Sequence, residues 1–200
     1  MQNQCSGCAT CATVSIGNPI PELEFDVYHN DEQIKKVKLS SFREKWLVLF
    51  FYPADFTFIC PTELEELAKN YSEFQKLNTE VVSVSTDTVY VHKAWHDNSP
   101  AIKQITFPMA ADPTGTLCKT FGTYIDHAGL SLRGTFIIDP EGVLRAFEIH
   151  DNSIGRSVNE LLRKVKAAQY VKENPGQVCP ASWEPGKATL TPGLNLVGKI

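Results

Sequence analysis

Apolar positions along this chain alternate between two rhythms. Trp46 to Tyr52, W-L-V-L-F-F-Y, is a continuous apolar run, the pattern of a strand covered on both faces, and it predicts a central strand. Behind it Leu64, Leu67, Ala68, Tyr71, Phe74 and Leu77 recur at helical spacing, with Glu63, Glu65, Glu66, Lys69 and Lys76 between them, which predicts an amphipathic helix. Glu80 to Thr86, E-V-V-S-V-S-T, reads as the next buried strand. A helical stretch through Val91 and Trp95, a strand-like F-P-M-A-A-D and a short helix around Leu117 and Phe121 follow. The order is β-α-β-α-β. Then G-T-F-I-I-D and V-L-R-A-F-E-I flank D-P-E-G, with Pro140 and Gly142 at turn positions, so a hairpin is expected and the sheet is mixed.

A last helix, from about Ser157 to Val171, repeats apolar residues at Val158, Leu161, Leu162, Val165 and Ala168. The segment after it, E-N-P-G-Q-V-C-P-A-S-W-E-P-G, is rich in Pro and Gly and suits an irregular arm. The expected organisation is a flexible Cys-rich tail over 1–13, one α/β domain over 14–172 with helices flanking a mixed central sheet, and a C-terminal arm over 173–200. No internal repeat or low-complexity segment interrupts this.

Composition narrows the context. At 200 residues and 42% hydrophobic, the chain is long enough for one well-formed core. The net charge of -4, without a basic block, argues against a nucleic-acid partner. The N-terminus, M-Q-N-Q-C-S-G-C-A-T-C, has neither a charged leader nor an apolar core, and no apolar run is long enough to span a membrane. A soluble, unexported, cytoplasmic protein is expected. In that setting six cysteines point to catalytic, redox or metal chemistry before structural disulfides.

The thiol placed most suggestively is Cys60, in P-A-D-F-T-F-I-C-P-T-E (Pro53 to Glu63). A strand ending near Tyr52 and a helix starting near Pro61 put Cys60 at the carboxyl edge of a buried strand, where open α/β sheets keep their sites. Pro61 suits a first helical turn, because the N–H it lacks would have no partner there. The positive end of the helix dipole favours a thiolate. The bland alternative is an inert buried cysteine. Thr57 offers a hydroxyl to the sulfur or its target, or else serves as a loop or cap hydroxyl. Pro53 walls off the pocket or merely ends the strand. Arg133, opening the strand before Gly134, lies at the same edge as Cys60 if that strand runs antiparallel to Trp46–Tyr52. There a guanidinium stabilises a thiolate and a developing oxyanion; otherwise it is a solvated strand-end charge.

F-Y-P-A-D-F-T-F-I-C-P-T-E resembles the peroxidatic-cysteine signature of the peroxiredoxins, specifically typical two-cysteine members related to the bacterial alkyl hydroperoxide reductase C subunit. The resemblance continues through L-R-G-T-F-I-I-D-P-E-G, L-L-R-K-V-K-A-A-Q-Y-V and V-C-P-A-S-W-E-P-G-K-A-T-L, and covers nearly all of residues 14 to 200. It implies a thioredoxin-like fold and a Pro, Thr, Cys, Arg site matched by Pro53, Thr57, Cys60 and Arg133. It also implies that Glu63 orients the arginine and that Cys179 is the resolving cysteine.

The chemistry needs no metal, flavin or other cofactor. A thiolate attacks the nearer peroxide oxygen, donors stabilise the departing one, and Cys60 becomes a sulfenic acid. A second thiol then converts that acid to a disulfide. Cys179, on its Pro/Gly-flanked arm, is the candidate, against the alternative of an incidental tail thiol. The residues alone leave open whether it reacts within its own chain; the family implies the partner subunit, hence a Cys60–Cys179 intersubunit disulfide, a homodimer and commonly a ring of five dimers. The electron donor would be a disulfide reductase: a flavin-dependent enzyme, thioredoxin or a glutaredoxin. Hydrogen peroxide and organic hydroperoxides are the expected substrates. An oligomeric holdase chaperone or redox-signalling scaffold on the same fold is the alternative function.

Two departures from the family stand out. Where overoxidation-sensitive eukaryotic members carry a Gly-Gly-Leu-Gly insertion and a Tyr-Phe end, this chain reads D-N-S-I-G-R-S and ends K-I, which puts easy overoxidation in doubt. Cys5, Cys8 and Cys11 form C-S-G-C-A-T-C, readable as a dispensable tail, a thiol relay or a partial metal-ligand run. Cys118, in a short apolar helix, is expected to be a packing residue.

Overall fold

The computed structural model describes residues 14–29 and 34–199. The expected tail with Cys5, Cys8 and Cys11 lies outside them. Contacts divide the chain into two units, Met1–Arg156 and Ser157–Ile200.

The first unit is built on a mixed sheet. Its strands are β1 (Glu24–Tyr28), β2 (Lys35–Lys38), β3 (Trp46–Phe51), β4 (Thr79–Ser85), β5 (Met109–Ala111), β8 (Arg133–Ile138) and β9 (Leu144–His150), in spatial order β2-β1-β5-β4-β3-β8-β9. A two-stranded ribbon, β6 (Tyr124–Ile125) with β7 (Leu130–Ser131), stands apart. β3, β4 and β5 run parallel, as strands joined by crossover helices must, while β8 is antiparallel to β3 and β9 antiparallel to β8. Every residue of β3 and of β8 is buried, which explains the unbroken apolar sequence of β3 and the F-I-I end of β8. Phe51, Phe121 and Phe136 meet at ring separations of 4.9 to 5.5 Å within the core. The predicted hairpin joins β8 to β9, with Gly142 at φ 76°, a left-handed turn conformation that glycine adopts without strain.

Helix α1 (Cys60–Lys76) buries Leu64, Leu67, Tyr71 and Phe74, the apolar stripe read from the sequence, and Cys60 and Glu63 share that buried face. It starts at Cys60, one residue ahead of the expected Pro61, and Pro61 occupies its first turn. Helices α2 (Val89–Asn98) and α3 (Thr116–Thr120) follow the strands expected before them. Strands β1, β2, β6 and β7 were not expected. E-F-D-V-Y is a five-residue alternation, and K-K-V-K is charged because β2 is an exposed edge, where lysines discourage pairing with other chains.

The second unit holds α4 (Val158–Glu173), whose N-cap Ser157 hydroxyl oxygen accepts the Glu160 N–H at 3.3 Å. An irregular arm follows it, pinned by a bridge between Val178 and Leu190. Trp183 is buried, with its ring 4.8 Å from that of Tyr170 and its Nε1 donating to the Lys187 carbonyl at 3.1 Å. Among the described residues no helix is long and apolar enough to cross a membrane.

Candidate active site

Register decides what surrounds Cys60. β3 and β8 pair Leu47 with Ile138 and Phe50 with Thr135, so the chain entering β8 lies level with the chain leaving β3. Arg133 therefore opens its strand at the edge where Tyr52 turns into buried Pro53 and the loop that leads to α1. Arg133 Nη1 donates to Glu63 Oε2 at 2.8 Å and towards Cys60 Sγ at 3.4 Å. Its Nε and Nη2 both donate to the Asn152 carbonyl, at 3.0 and 2.9 Å, which fixes the plane of the guanidinium. Cys60 is wholly buried. Cys60 and Glu63, one helical turn apart on α1, are thus bridged by the same Arg133 nitrogen.

A second arginine completes the cluster. Arg156, buried, donates its backbone N–H and its Nε to Glu63 Oε1 at 2.8 and 2.9 Å and its Nη2 to Glu63 Oε2 at 3.0 Å. Its Nη1 donates to the Gly134 carbonyl and the Thr135 hydroxyl at 2.9 and 3.0 Å. The guanidinium carbon lies 3.4 Å from the centre of the Phe50 ring. Burial pushes the Glu63 carboxyl up, but Arg156 and then Arg133 more than offset it, and the group is held below the ordinary carboxylate value. Sequence reasoning did not single out Arg156. A lone arginine before the helix cap carries no periodic signal, and only its partner 93 positions away gives it a role.

Thr57 and Pro53 flank this cluster on the loop before α1. Thr57, half-buried, directs its hydroxyl hydrogen to the Ala54 carbonyl at 2.9 Å, not to sulfur, and its oxygen lone pairs remain able to accept. The same loop is anchored by a network that the sequence did not reveal. Tyr52 donates its hydroxyl to Asp55 Oδ1 at 2.7 Å, and His92 Nδ1 lies 2.8 Å from Asp55 Oδ2. His92 Nε2 lies 3.2 Å from the Ala110 carbonyl, and the Asp55 backbone N–H donates to Asp87 Oδ2 at 2.8 Å. Both ring nitrogens of His92 thus face acceptors. His92 sits on the buried face of α2 with Val89 and Trp95, and that helical spacing was the one available clue.

The other described thiols differ. Cys118 is buried; burial, then the neighbouring Asp112, pushes its thiol far up, which suits packing and not reactivity. Cys179, in the second unit, is half-buried, with Sγ 4.0 Å from the Ala167 carbonyl.

A mixed α/β sheet with a buried cysteine opening a helix beneath an arginine fork defines the class of thiol enzymes with a thioredoxin-like fold. The chain belongs to the AhpC/TSA family, which matches residues 16–147, and residues 167–194 match the C-terminal domain of 1-Cys peroxiredoxin. It is 50% identical over 185 residues to the alkyl hydroperoxide reductase C of Amphibacillus xylanus, covering 92% of this chain and 98% of that one. The crystal structure of Enterococcus faecalis AhpC is similar at a TM-score of 0.79 and 45% identity, covering 82% of this chain and 98% of that one. A reduced 2-Cys peroxiredoxin from Plasmodium vivax reaches a TM-score of 0.83 at 34% identity, covering 87% of this chain and 91% of that one.

Proposed function

We propose that this chain is a thiol peroxidase that reduces hydrogen peroxide and organic hydroperoxides to water and alcohols, with Cys60 as the attacking thiol. The observation that carries the reading is the Arg133 guanidinium, 3.4 Å from Cys60 Sγ and tethered by Glu63. The Cys60 thiolate attacks the hydroxyl oxygen of ROOH, an S–O bond forms and the O–O bond breaks, and the departing RO⁻ takes a proton to become ROH. Arg133 stabilises the charge growing on that oxygen, and the Thr57 hydroxyl oxygen accepts from the peroxide O–H. Glu63 and Arg156 keep the fork in place before substrate arrives.

The product is a Cys60 sulfenic acid, and in this reading Cys179 of a second copy condenses with it, releasing water and forming the Cys60–Cys179 disulfide. Because Cys60 is wholly buried, that step requires the first turn of α1 to open. A disulfide reductase, which is a flavin-dependent enzyme, thioredoxin or a glutaredoxin, then restores both thiols. Exposed Phe147 and Ile149 on edge strand β9, and exposed Phe56, Phe58 and Tyr90 beside the site loop, support a homodimer that assembles further, into a ring of five dimers. The peroxidase domain runs over 14–172 and the resolving arm over 173–200, and the chain works in the cytoplasm, where its thiols stay reduced.

Peroxide consumption by the purified, reduced protein tests the reading. Wild type should consume one equivalent of hydrogen peroxide per chain without a reductant, and Cys60→Ser none. Turnover retained in Cys60→Ser would remove the assignment.

A further inference from the structure

The second unit carries a constellation that peroxide reduction itself does not use. On α4, Glu160 and Arg163 stand three residues apart and face each other on the helix surface. Arg163 Nε donates to Glu160 Oε2 at 2.7 Å and Nη2 to Glu160 Oε1 at 2.8 Å, a two-pronged pairing that fixes the guanidinium plane. The remaining prong, Nη1, donates to the Trp183 carbonyl at 3.0 Å. Trp183 ends the turn that begins just after Cys179; its N–H donates to the Pro180 carbonyl at 3.1 Å. Cys179 Sγ rests 4.0 Å from the carbonyl of Ala167, the residue one helical turn beyond Arg163. Guanidinium and thiol therefore share one side of α4.

We infer that Arg163 is a positioning residue for the resolving step: its fork holds the 180–183 turn to α4 and keeps its positive charge beside the Cys179 sulfur. This rests on the reading of Cys179 as the resolving thiol. In that step a Cys179 thiolate attacks the sulfur of Cys60–SOH, an S–S bond forms, and the hydroxide released takes up a proton as water. Only the thiolate attacks. Burial pushes the Cys179 thiol up, and the Arg163 charge pulls it back. The charges around that guanidinium are those of Glu160 and, at longer range, Glu184; Lys164 and Lys187 pair in turn with these two carboxylates at 3.9 and 3.0 Å. Lysine at 163 would keep a charge but could not grip a carboxylate with two donors and a carbonyl with a third.

Rapid-quench measurement of disulfide formation after one equivalent of hydrogen peroxide, followed across pH in the full-length protein, tests the inference. Arg163→Gln should move the midpoint of the resolving rate to higher pH. For a shift of about one unit the thiolate fraction falls about tenfold below the midpoint, and the greater nucleophilicity of the more basic sulfur recovers about threefold, leaving a rate about threefold lower. Arg163→Lys should return the midpoint towards wild type. Glu160→Gln should move it the other way, to lower pH, because the carboxylate no longer offsets the guanidinium charge; a folding defect does not produce shifts of opposite sign. Cys179→Ser separates the two levels of the argument. If it still forms the disulfide at the wild-type rate, the reading of Cys179 fails. If it forms none while Arg163→Gln and Glu160→Gln both keep the wild-type rate and midpoint, the role of Arg163 is overturned.

Discussion

Arg156 holds Glu63 by three hydrogen bonds of 2.8 to 3.0 Å, and the carboxylate so fixed is the one that tethers Arg133 beside Cys60. The buried cluster contains two cations and one anion, and the Cys60 sulfur lies 3.4 Å from the Arg133 Nη1 of that cluster. A buried charge is costly in a low-dielectric interior unless it is paired and hydrogen-bonded, and Glu63 pairs with both guanidinium groups. Arg156 acts through Glu63, and its effect on peroxide chemistry is one of position.

Arg156→Ala is expected to destabilise the protein by about 3–5 kcal/mol, the usual cost of breaking a buried ion pair by removing one partner. It also leaves the Gly134 carbonyl without its donor. Urea unfolding of the reduced protein measures this. A loss below about 1 kcal/mol would mean that solvent or a rearranged Arg133 replaces Arg156.

Glu63 sets a pH limit. Its carboxyl is held below the ordinary value of 4.5, so the folded state binds a proton there less readily than the unfolded chain does. The stability this contributes is fully present above 4.5 and is lost as the pH falls through the lower folded value. Glu63→Gln should be less stable than wild type at neutral pH, and the gap should narrow on acidification below 4.5, read by denaturant midpoints at a series of pH values. A gap that stays constant with pH would remove Glu63 as the linked group.

Arg133→Ala should slow the second-order oxidation of Cys60 by about 100-fold, the scale of losing one preorganised donor to a developing oxyanion. Arg133→Lys should recover little of it. A single ammonium cannot meet Glu63, Cys60 and the Asn152 carbonyl together, as the guanidinium does. Stopped-flow fluorescence with hydrogen peroxide gives the rates, and a lysine variant as fast as wild type would reduce the role of Arg133 to its charge alone.

The elements that position this site were legible where local pattern decides them. β3 is an unbroken apolar run and β8 ends in F-I-I because both faces are buried, and the stripe of α1 from Leu64 to Phe74 lies on its core face. β1 and β2 were not legible, because E-F-D-V-Y is short and K-K-V-K owes its strand to pairing with β1 and not to burial. Within the site, strand order and the antiparallel run of β8 put Arg133 at the Cys60 edge, which motif and topology together anticipated. The Thr57 hydroxyl pointing at Ala54, the buried Arg156 and the His92–Asp55 pair depend on partners that only the folded chain brings near. No spacing in the sequence encodes them.

The last expectation concerns the anchor of the site loop, where two substitutions at Asp55 should differ sharply. Asp55→Asn keeps every contact satisfiable: the amide oxygen accepts from the Tyr52 hydroxyl, the amide N–H donates to His92 Nδ1, and a neutral imidazole still donates from Nε2 to the Ala110 carbonyl. Stability should fall by no more than about 1 kcal/mol. Asp55→Ala leaves the buried Tyr52 hydroxyl and the His92 ring without that partner, and should cost about 3–5 kcal/mol. His92→Leu should be comparably severe, because it strands the Asp55 carboxylate, whose side chain is wholly buried. Chemical denaturation of the three variants decides the matter. If Asp55→Asn is as damaging as Asp55→Ala, the carboxylate charge itself holds the loop, and the hydrogen-bond account of this network is wrong.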